Sequence, residues 1–364
     1  MTSQQGMLDG FDPPRSRSVE IARVLVDVDL PHMDRPLDYI VPDTLIDEAT
    51  VGQLVRVRFS GARVDGWIVE RTQREMLDDS AHIESVASSI PVLTPALYET
   101  ARRIAGRFLA TTSQVLSLAI PPRHARAEKH VLEQTPPPWP SLEAPSVSAG
   151  WGAYSAGQAL LNRLSSGQSP RAVVTALRPL MRRCLSDAVA ATVSSGRSVI
   201  IVTSTGEEAS RYARSLEEDL GVPVAVAGGE VTPEERYRIH AAATLGHVPI
   251  VVGTRSAVWV PCTKLGLIII CDDGDDRLRE RRFPRCDSLD VAVQRCAVEG
   301  AGLLVASYAR SVKAQALVRS GWAVSLDPFP GALRDATPRV HLHGVTEAAR
   351  EGASGHLRIP QAAL

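Results

Sequence analysis

The chain has 364 residues, 44% hydrophobic and 22% charged, with a formal net charge of −1 at pH 7. That is enough material for two or three globular domains with a substantial core. The near-neutral total excludes bulk attraction to nucleic acid, so any such contact has to come from a local basic surface or a specific pocket. Five cysteines, Cys184, Cys262, Cys271, Cys286 and Cys296, form no C-x-x-C pair. This argues against a structural zinc site in this stretch and against a disulfide framework. No apolar signal core opens the chain, and no run approaches the roughly 18 residues of a membrane helix, so a cytoplasmic protein is expected.

Residues 1–18 are polar, with Asp12-Pro13-Pro14 and alternating arginine and serine, and read as a disordered tail. Residues 21–28 alternate apolar and charged positions, the pattern of a half-buried strand. Further strands are expected at 38–41, closed by Pro42, at 54–59, and after the Ser60-Gly61 turn at 64–70. From 95 to 118 the period changes to a helical one carried by Leu97, Ala101, Ile104, Ala105 and Phe108. Thr94 is the natural N-cap of that segment and Pro95 its first residue. Residues 19–125 therefore read as a β-rich domain with a helical extension.

Residues 126–170 hold five prolines between 134 and 152 and read as a linker or a reduced winged-helix-like region. From 171 onward, helices expected at 180–194, 207–220, 233–245, 292–297 and 312–320 alternate with strands expected at 198–203, 222–226, 249–253, 265–271 and 302–306. This order predicts an α/β, mostly parallel, doubly wound sheet over 171–331.

The strand at 265–271 is an isoleucine-rich apolar run, the signature of a strand buried on both faces. Asp272-Asp273-Gly274-Asp275 follows at once, just past the carboxyl end of a strand, where such sheets carry their chemistry. A phosphate-binding P-loop would need Gly-Lys-Ser/Thr, because backbone N–H groups cradle the phosphates and the lysine neutralises their charge. The three lysines are Lys129, Lys264 and Lys313; none follows a glycine and none precedes Ser or Thr. A conventional P-loop is absent.

These motifs resemble the PriA family of bacterial replication-restart proteins, also called primosomal protein N′, in collinear order from about 19 to 363. Asp34-Arg-Pro-Leu-Asp-Tyr-Ile-Val-Pro42 is similar to that family's D-R-P-F-D-Y-x-V-P, and Val51-Gly-Gln-Leu-Val-Arg-Val-Arg-Phe59 to its V-G-x-R-V-x-V-P-F. Gly253-Thr-Arg-Ser-Ala257, Leu265-Gly-Leu-Ile-Ile269, Pro284-Arg285 and Asp290-Val-Ala-Val293 with Arg295 match its motor lobe.

The resemblance implies a small 3′-DNA-end-binding domain followed by a RecA-like, superfamily 2 helicase lobe, with 332–364 as the start of an incomplete second lobe. It places Leu37, Asp38, Tyr39 and Gly52 at the DNA 3′-end pocket, Asp38 accepting from a sugar hydroxyl or base edge and Tyr39 stacking on the terminal base. Read without it, Asp38 is a strand-edge aspartate and Tyr39 a core aromatic. Arg255 and Arg285 become candidate contacts to the DNA backbone. The basic run from Arg277 to Arg285 also reads as a solvated loop pairing with the aspartates before it.

Departures concentrate at the catalytic motifs. The family's G-V-T-G-S-G-K-T stands here as Val173-Val-Thr-Ala-Leu-Arg-Pro179, its D-E-E-H as Asp272, Asp273, Gly274 and Asp275, and its S-A-T-P-S as Ser307-Tyr-Ala-Arg-Ser311. Losing the phosphate lysine and the water-orienting glutamate removes charge stabilisation and nucleophile positioning together. The expectation is a DNA-binding scaffold for replication restart with no catalytic residue, no metal and no cofactor of its own. The family's ATP with magnesium is lost here, and its zinc cluster lies downstream. Expected partners are forked or single-stranded DNA with a 3′ end, primosome proteins, single-strand-binding protein and the replicative helicase or its loader. An active ATP-dependent 3′→5′ helicase and a metal-dependent α/β enzyme using the aspartate cluster are the competing readings.

Overall fold

The computed structural model describes residues 16–77, 81–229, 231–338 and 349–350. Its first five strands are β1 (Ser16–Val26), β2 (Leu37–Ile40), β3 (Leu54–Phe59), β4 (Ala62–Leu77) and β5 (Ile83–Val86). They form one sheet in the order β2-β1-β4-β3-β5, antiparallel throughout. Period-two alternation sends Ala22, Val24 and Val26 of β1 into a small core with Tyr39, Val55, Val57 and Ile68. Leu25, one position out of step, points to the other face, where the helices lie. Strand β4 outruns the expected 64–70, and β5 has too little alternation to be legible in sequence.

Helices α1 (Pro95–Phe108), α2 (Thr112–Ala119) and α3 (Ala125–Glu133) cover that other face. Thr94 caps α1 by accepting from the Leu97 N–H, with Pro95 at the first position, as expected. The single helix expected over 95–118 is two. Leu109 turns left-handed at φ 53° and ends α1, and Thr111 and Gln114 then form a reciprocal capping box that starts α2.

The stretch expected as a linker is built into the structure on both sides. Helix α3 packs on the second domain, and Trp139 donates from its indole N–H to the Val193 carbonyl. Trp151 and Tyr154 are buried, and α4 (Gly157–Ser165) packs along α5 (Met181–Ser194). No winged helix separates the two domains among the described residues.

The second domain then runs β6 (Arg171–Thr175), α5, β7 (Ser198–Val202), α6 (Gly206–Leu220), β8 (Ala225–Ala227), α7 (Pro233–Thr244), β9 (Ile250–Gly253), β10 (Leu265–Cys271), α8 (Ser288–Glu299), β11 (Gly302–Ser307), α9 (Val312–Arg319), β12 (Val324–Leu326) and α10 (Pro330–Ala336). Its seven strands are parallel, in the order β12-β6-β11-β10-β7-β9-β8. All seven residues of β10 are buried, which is why that strand read as an unbroken apolar run. Ile200, Val202, Ile268 and Ile270 face one core, while Val199, Ile201, Leu267 and Ile269 face the other. The first strand, β6, is separated from β10 by β11. This is a RecA-like sheet with helices on both faces, as expected.

The core on the Ile200 face is continuous with the one under α1, α2 and α3, so the two domains share one hydrophobic interior. Residues 1–15 of the expected tail, and 339–348 and 351–364 of the expected second lobe, lie outside the described residues; Ser16–Ser18 begin β1. No helix among the described residues is long and apolar enough to cross a membrane.

Candidate nucleic-acid interface

The four residues expected at a DNA-end pocket do not converge. Leu37 and Tyr39 side with the small core, and Tyr39 is 3% exposed, its hydroxyl donating to the Arg58 carbonyl at 3.1 Å. Its ring offers no open face for a base. Asp38, between them, projects from the opposite face of the edge strand β2. There its carboxylate meets Arg74 at 2.8 Å and Arg23 at 3.4 Å, and the side chain stays part-exposed. Gly52 leads into β3, with β1 and β4 between it and β2, its N–H donating to the Ile68 carbonyl and its own carbonyl accepting from Leu93. With φ at +92° and the Leu93 carbonyl oxygen 2.3 Å from where a Cβ would be, that position admits only glycine. Of the four, Asp38 alone presents chemistry to solvent, in a cluster with Arg74, Arg23 and Glu70, the last 2.8 Å from Arg23.

At the carboxyl edge of the parallel sheet, the half around β6 and β11 is closed. The loop from β6 to α5 is Ala176 to Leu180, and no glycine occurs between Arg171 and Ser195. The Ala176 N–H donates to Ser307, the Leu180 N–H to Leu177, and Pro179 has no N–H. The Leu177 N–H donates to the Tyr154 hydroxyl, which donates in turn to the Thr175 carbonyl. Burial pushes that hydroxyl up to about 12, so it stays protonated and can serve both bonds. One N–H of the loop's four, that of Arg178, is left, and the Arg178 guanidinium lies 5.5 Å over the Tyr308 ring. A phosphate cradle needs several convergent N–H groups and a cation aimed at the anion; this loop has neither.

The acidic box is tied up as well. Asp273 is buried, and its carboxylate accepts from the Ser307 hydroxyl at 2.6 Å and from the Ser311 hydroxyl. Its N–H donates back to Ser307, and Ser311 also caps α9. Asp275 caps the short turn after β10 and is gripped by the Arg277 guanidinium, whose hydrogen bonds hold its carboxyl down at about 2. Asp272 adopts a left-handed backbone, φ 53°. Burial raises its carboxyl, with Glu208, Asp275 and Asp273 adding to the rise against a bond from the Tyr308 N–H. Gly274 adds no side chain. Among the described residues no cluster of His, Cys, Asp and Glu could hold a metal ion.

The other half of the same edge is open. A groove of about 510 Å³ lies where β7, β8 and β9 end, walled on the far side by Ser117 to Pro122 at the end of α2. Its lining includes Gly206, Gly228 and Gly229 beside the small side chains of Ser204, Thr205, Ala227, Thr254 and Ser256, and Gly206 packs so closely that a Cβ there would fall 2.5 Å from Gly229 Cα. The rim carries Arg236, Arg255 and Arg282 against a single carboxylate, Glu280, which lies 3.4 Å from Arg255 and 3.8 Å from Arg282. Helix α6 starts here under the Thr205 cap, but Glu207 and Glu208 in its first turn oppose its own dipole. The positive field of the groove is therefore that of the arginines. Arg255, which the sequence offered as a candidate backbone contact, lines this groove. Arg285 is exposed in a tight turn, φ +57°, and does not line the groove.

Comparison with known proteins bears on both domains. Residues 23–121 match the family model of the 3′ DNA-binding domain (3′BD) of PriA. The probable replication restart protein PriA of Mycobacterium bovis is 37% identical over 347 residues, covering 92% of this chain and 52% of that protein. The chain belongs to the PriA family. It corresponds to an N-terminal portion and spans about half the length of the curated relatives it matches. The probable PriA of Deinococcus radiodurans is 30% identical over 176 residues, 47% of this chain and 18% of its own. Among solved structures, RecG bound to a three-way DNA junction aligns over 65% of this chain and 29% of its own, with TM-score 0.36 and 16% identity.

That none of the three lysines follows a glycine is visible at a glance in the sequence, whereas what fills the loop after β6 is not. Tyr154 lies 21 residues before Thr175, and only the packing of α4 on α5 brings its hydroxyl to the loop. Arg236 and Arg282 come from α7 and from the loop after β10, and meet only in three dimensions. Asp38 and Tyr39 carried a usable signal, since neighbours on a strand point to opposite faces and cannot line one pocket.

Proposed function

We propose that this PriA-family chain binds forked DNA without turning over ATP. It would engage a nascent 3′ end through its N-terminal sheet and a single-stranded backbone through the groove at the ends of β7, β8 and β9. The observation that carries the DNA reading is that groove: a lining of glycines and small side chains with three arginines and one carboxylate, beside a domain that matches the 3′ DNA-binding family model. Small lining residues let a phosphodiester chain approach closely, and arginine forks match phosphate oxygens. The observation against ATP is the consumed N–H groups of the loop after β6, together with the absence of a lysine. In this reading the lobe is a scaffold at the replication fork, and its protein partners are primosome components, single-strand-binding protein and the replicative helicase or its loader. Its place is the cytoplasm, at the nucleoid.

The test is binding of a fluorescent fork carrying a free 3′-hydroxyl nascent end against the same fork with a 3′-phosphate, at fixed salt. Wild type is expected to prefer the free hydroxyl and Asp38→Ala to lose that preference. Equal, weak binding of both forks by both proteins would sink the proposal.

A further inference from the structure

Between the Asp38 face and the arginine groove lies a buried polar joint. Glu128 of α3 is 1% exposed, and its carboxylate collects four donors from three parts of the chain. Ser89 gives a backbone N–H from the segment after β5. Arg123 gives two guanidinium bonds, at 3.0 and 3.3 Å, from the turn before α3. Tyr237 of α7, wholly buried in the second domain, gives its hydroxyl at 2.5 Å. One turn along α7, the buried His240 ring meets the Val92 carbonyl of the first domain at 2.8 Å. A buried carboxylate with all donors in place is rigid, because losing one leaves charge uncompensated in a low dielectric. Apolar contact alone would hold the domains together but would tolerate sliding. A charge-assisted joint of fixed geometry does not.

The joint also ties together the elements that carry the two surfaces read above as DNA-facing. Helix α7, which supplies Tyr237 and His240, also supplies Arg236 to the groove, and His240 itself lines it. Ser89 and Val92 follow β5, in the sheet that carries Asp38. We infer that Glu128 and Tyr237 are positioning residues for DNA binding: they fix the 3′-end-binding sheet and the arginine groove in one register, so that both engage a single DNA molecule at once. This rests on the proposed function and adds to it how the two surfaces cooperate. With rigid spacing the second contact is intramolecular and is favoured by its effective concentration; with loose spacing that gain is lost.

The experiment uses the full chain at fixed salt with three probes: a fork with a nascent 3′ end next to a single-stranded gap, a short duplex with a recessed 3′ hydroxyl, and a single strand with both ends blocked. Wild type should bind the fork at least about tenfold more tightly than either part. Tyr237→Phe keeps the ring and removes the hydroxyl; it should lose most of that preference while each part binds within about twofold of wild type. Glu128→Gln, isosteric and still able to accept from Ser89, should show the same pattern in smaller measure. A fork preference kept intact by both variants overturns the inference alone. Equal loss on all three probes overturns it too, since that marks general damage. Wild type that binds none of the probes overturns the DNA-binding reading and this inference with it.

Discussion

The two halves of one sheet edge have gone different ways. Around β6 and β11, where a motor would hold nucleotide phosphates, every strong group is answered from within: Tyr154 bridges the loop, Ser307 and Ser311 hold Asp273, Arg277 holds Asp275, and Arg178 lies on Tyr308. Around β7, β8 and β9 the lining is glycine and small side chains, and three arginines stand against one carboxylate, which pairs with two of them. A site under no demand to bind is free to satisfy itself, and satisfied groups add stability. A site that must bind keeps polar groups that water or a ligand completes. The difference supports the proposal that the groove binds and the loop after β6 does not.

The largest expected effect comes from the end of β9, next to Thr254 of the groove. Gly253→Val would put a branched side chain where a Cβ already lies 1.8 Å from the Ala227 carbonyl. A loss of about 3 kcal/mol or more is expected as a lower denaturant midpoint. A wild-type midpoint would break the claim that β8 and β9 meet here backbone to backbone.

Acid should act on the groove wall next. Burial, with a smaller push from Arg295, outweighs the Val92 carbonyl and lowers His240 to about 4. The folded value lies below the unfolded one, near 6.5, so the unfolded chain takes up the proton first as pH falls. Stability from this residue is present above the unfolded value and is lost progressively as pH drops toward 4. At pH 5 the loss is about 2 kcal/mol. His240→Gln should therefore show a correspondingly smaller drop between pH 7 and 5 in parallel denaturant titrations; an identical drop would contradict the buried neutral imidazole.

Tyr154→Phe sharpens the closed half. It strands the buried Leu177 N–H and should cost about 1–2 kcal/mol, again read from the unfolding midpoint, with no ATP hydrolysis gained. Smallest in stability is Arg255→Ala, expected to change the midpoint by less than about 0.5 kcal/mol. On a log–log plot of DNA affinity against salt, though, its slope should be about one unit shallower. An unchanged slope would remove Arg255 from the backbone path.

Much of this was legible in the sequence, for physical reasons. The parallel sheet showed itself because β10 is buried on both faces, and the N-terminus of α1 because Thr94 and Pro95 have a stereochemical job there. The short strands β5 and β12 carry too few residues for a period. The break at Leu109 depends on a left-handed residue that nothing in its side chain announces. At the site, the loss of the phosphate lysine was plain, while its replacement by Tyr154 was not, because a hydroxyl brought in by helix packing leaves no spacing to read. The joint of Glu128, Arg123 and Tyr237 was hidden likewise: Tyr237 stands 109 residues from Glu128 and each alone looks like an ordinary surface or core residue.

The central claim is that the open half binds while the closed half does not turn over. Its most direct test is ATP hydrolysis with and without forked DNA, in the same sample and at the salt where fork binding is measured. The account predicts saturable fork binding with hydrolysis at the protein-free background. Hydrolysis that rises with fork concentration would show that the loop after β6 opens to hold a nucleotide, and would contradict it.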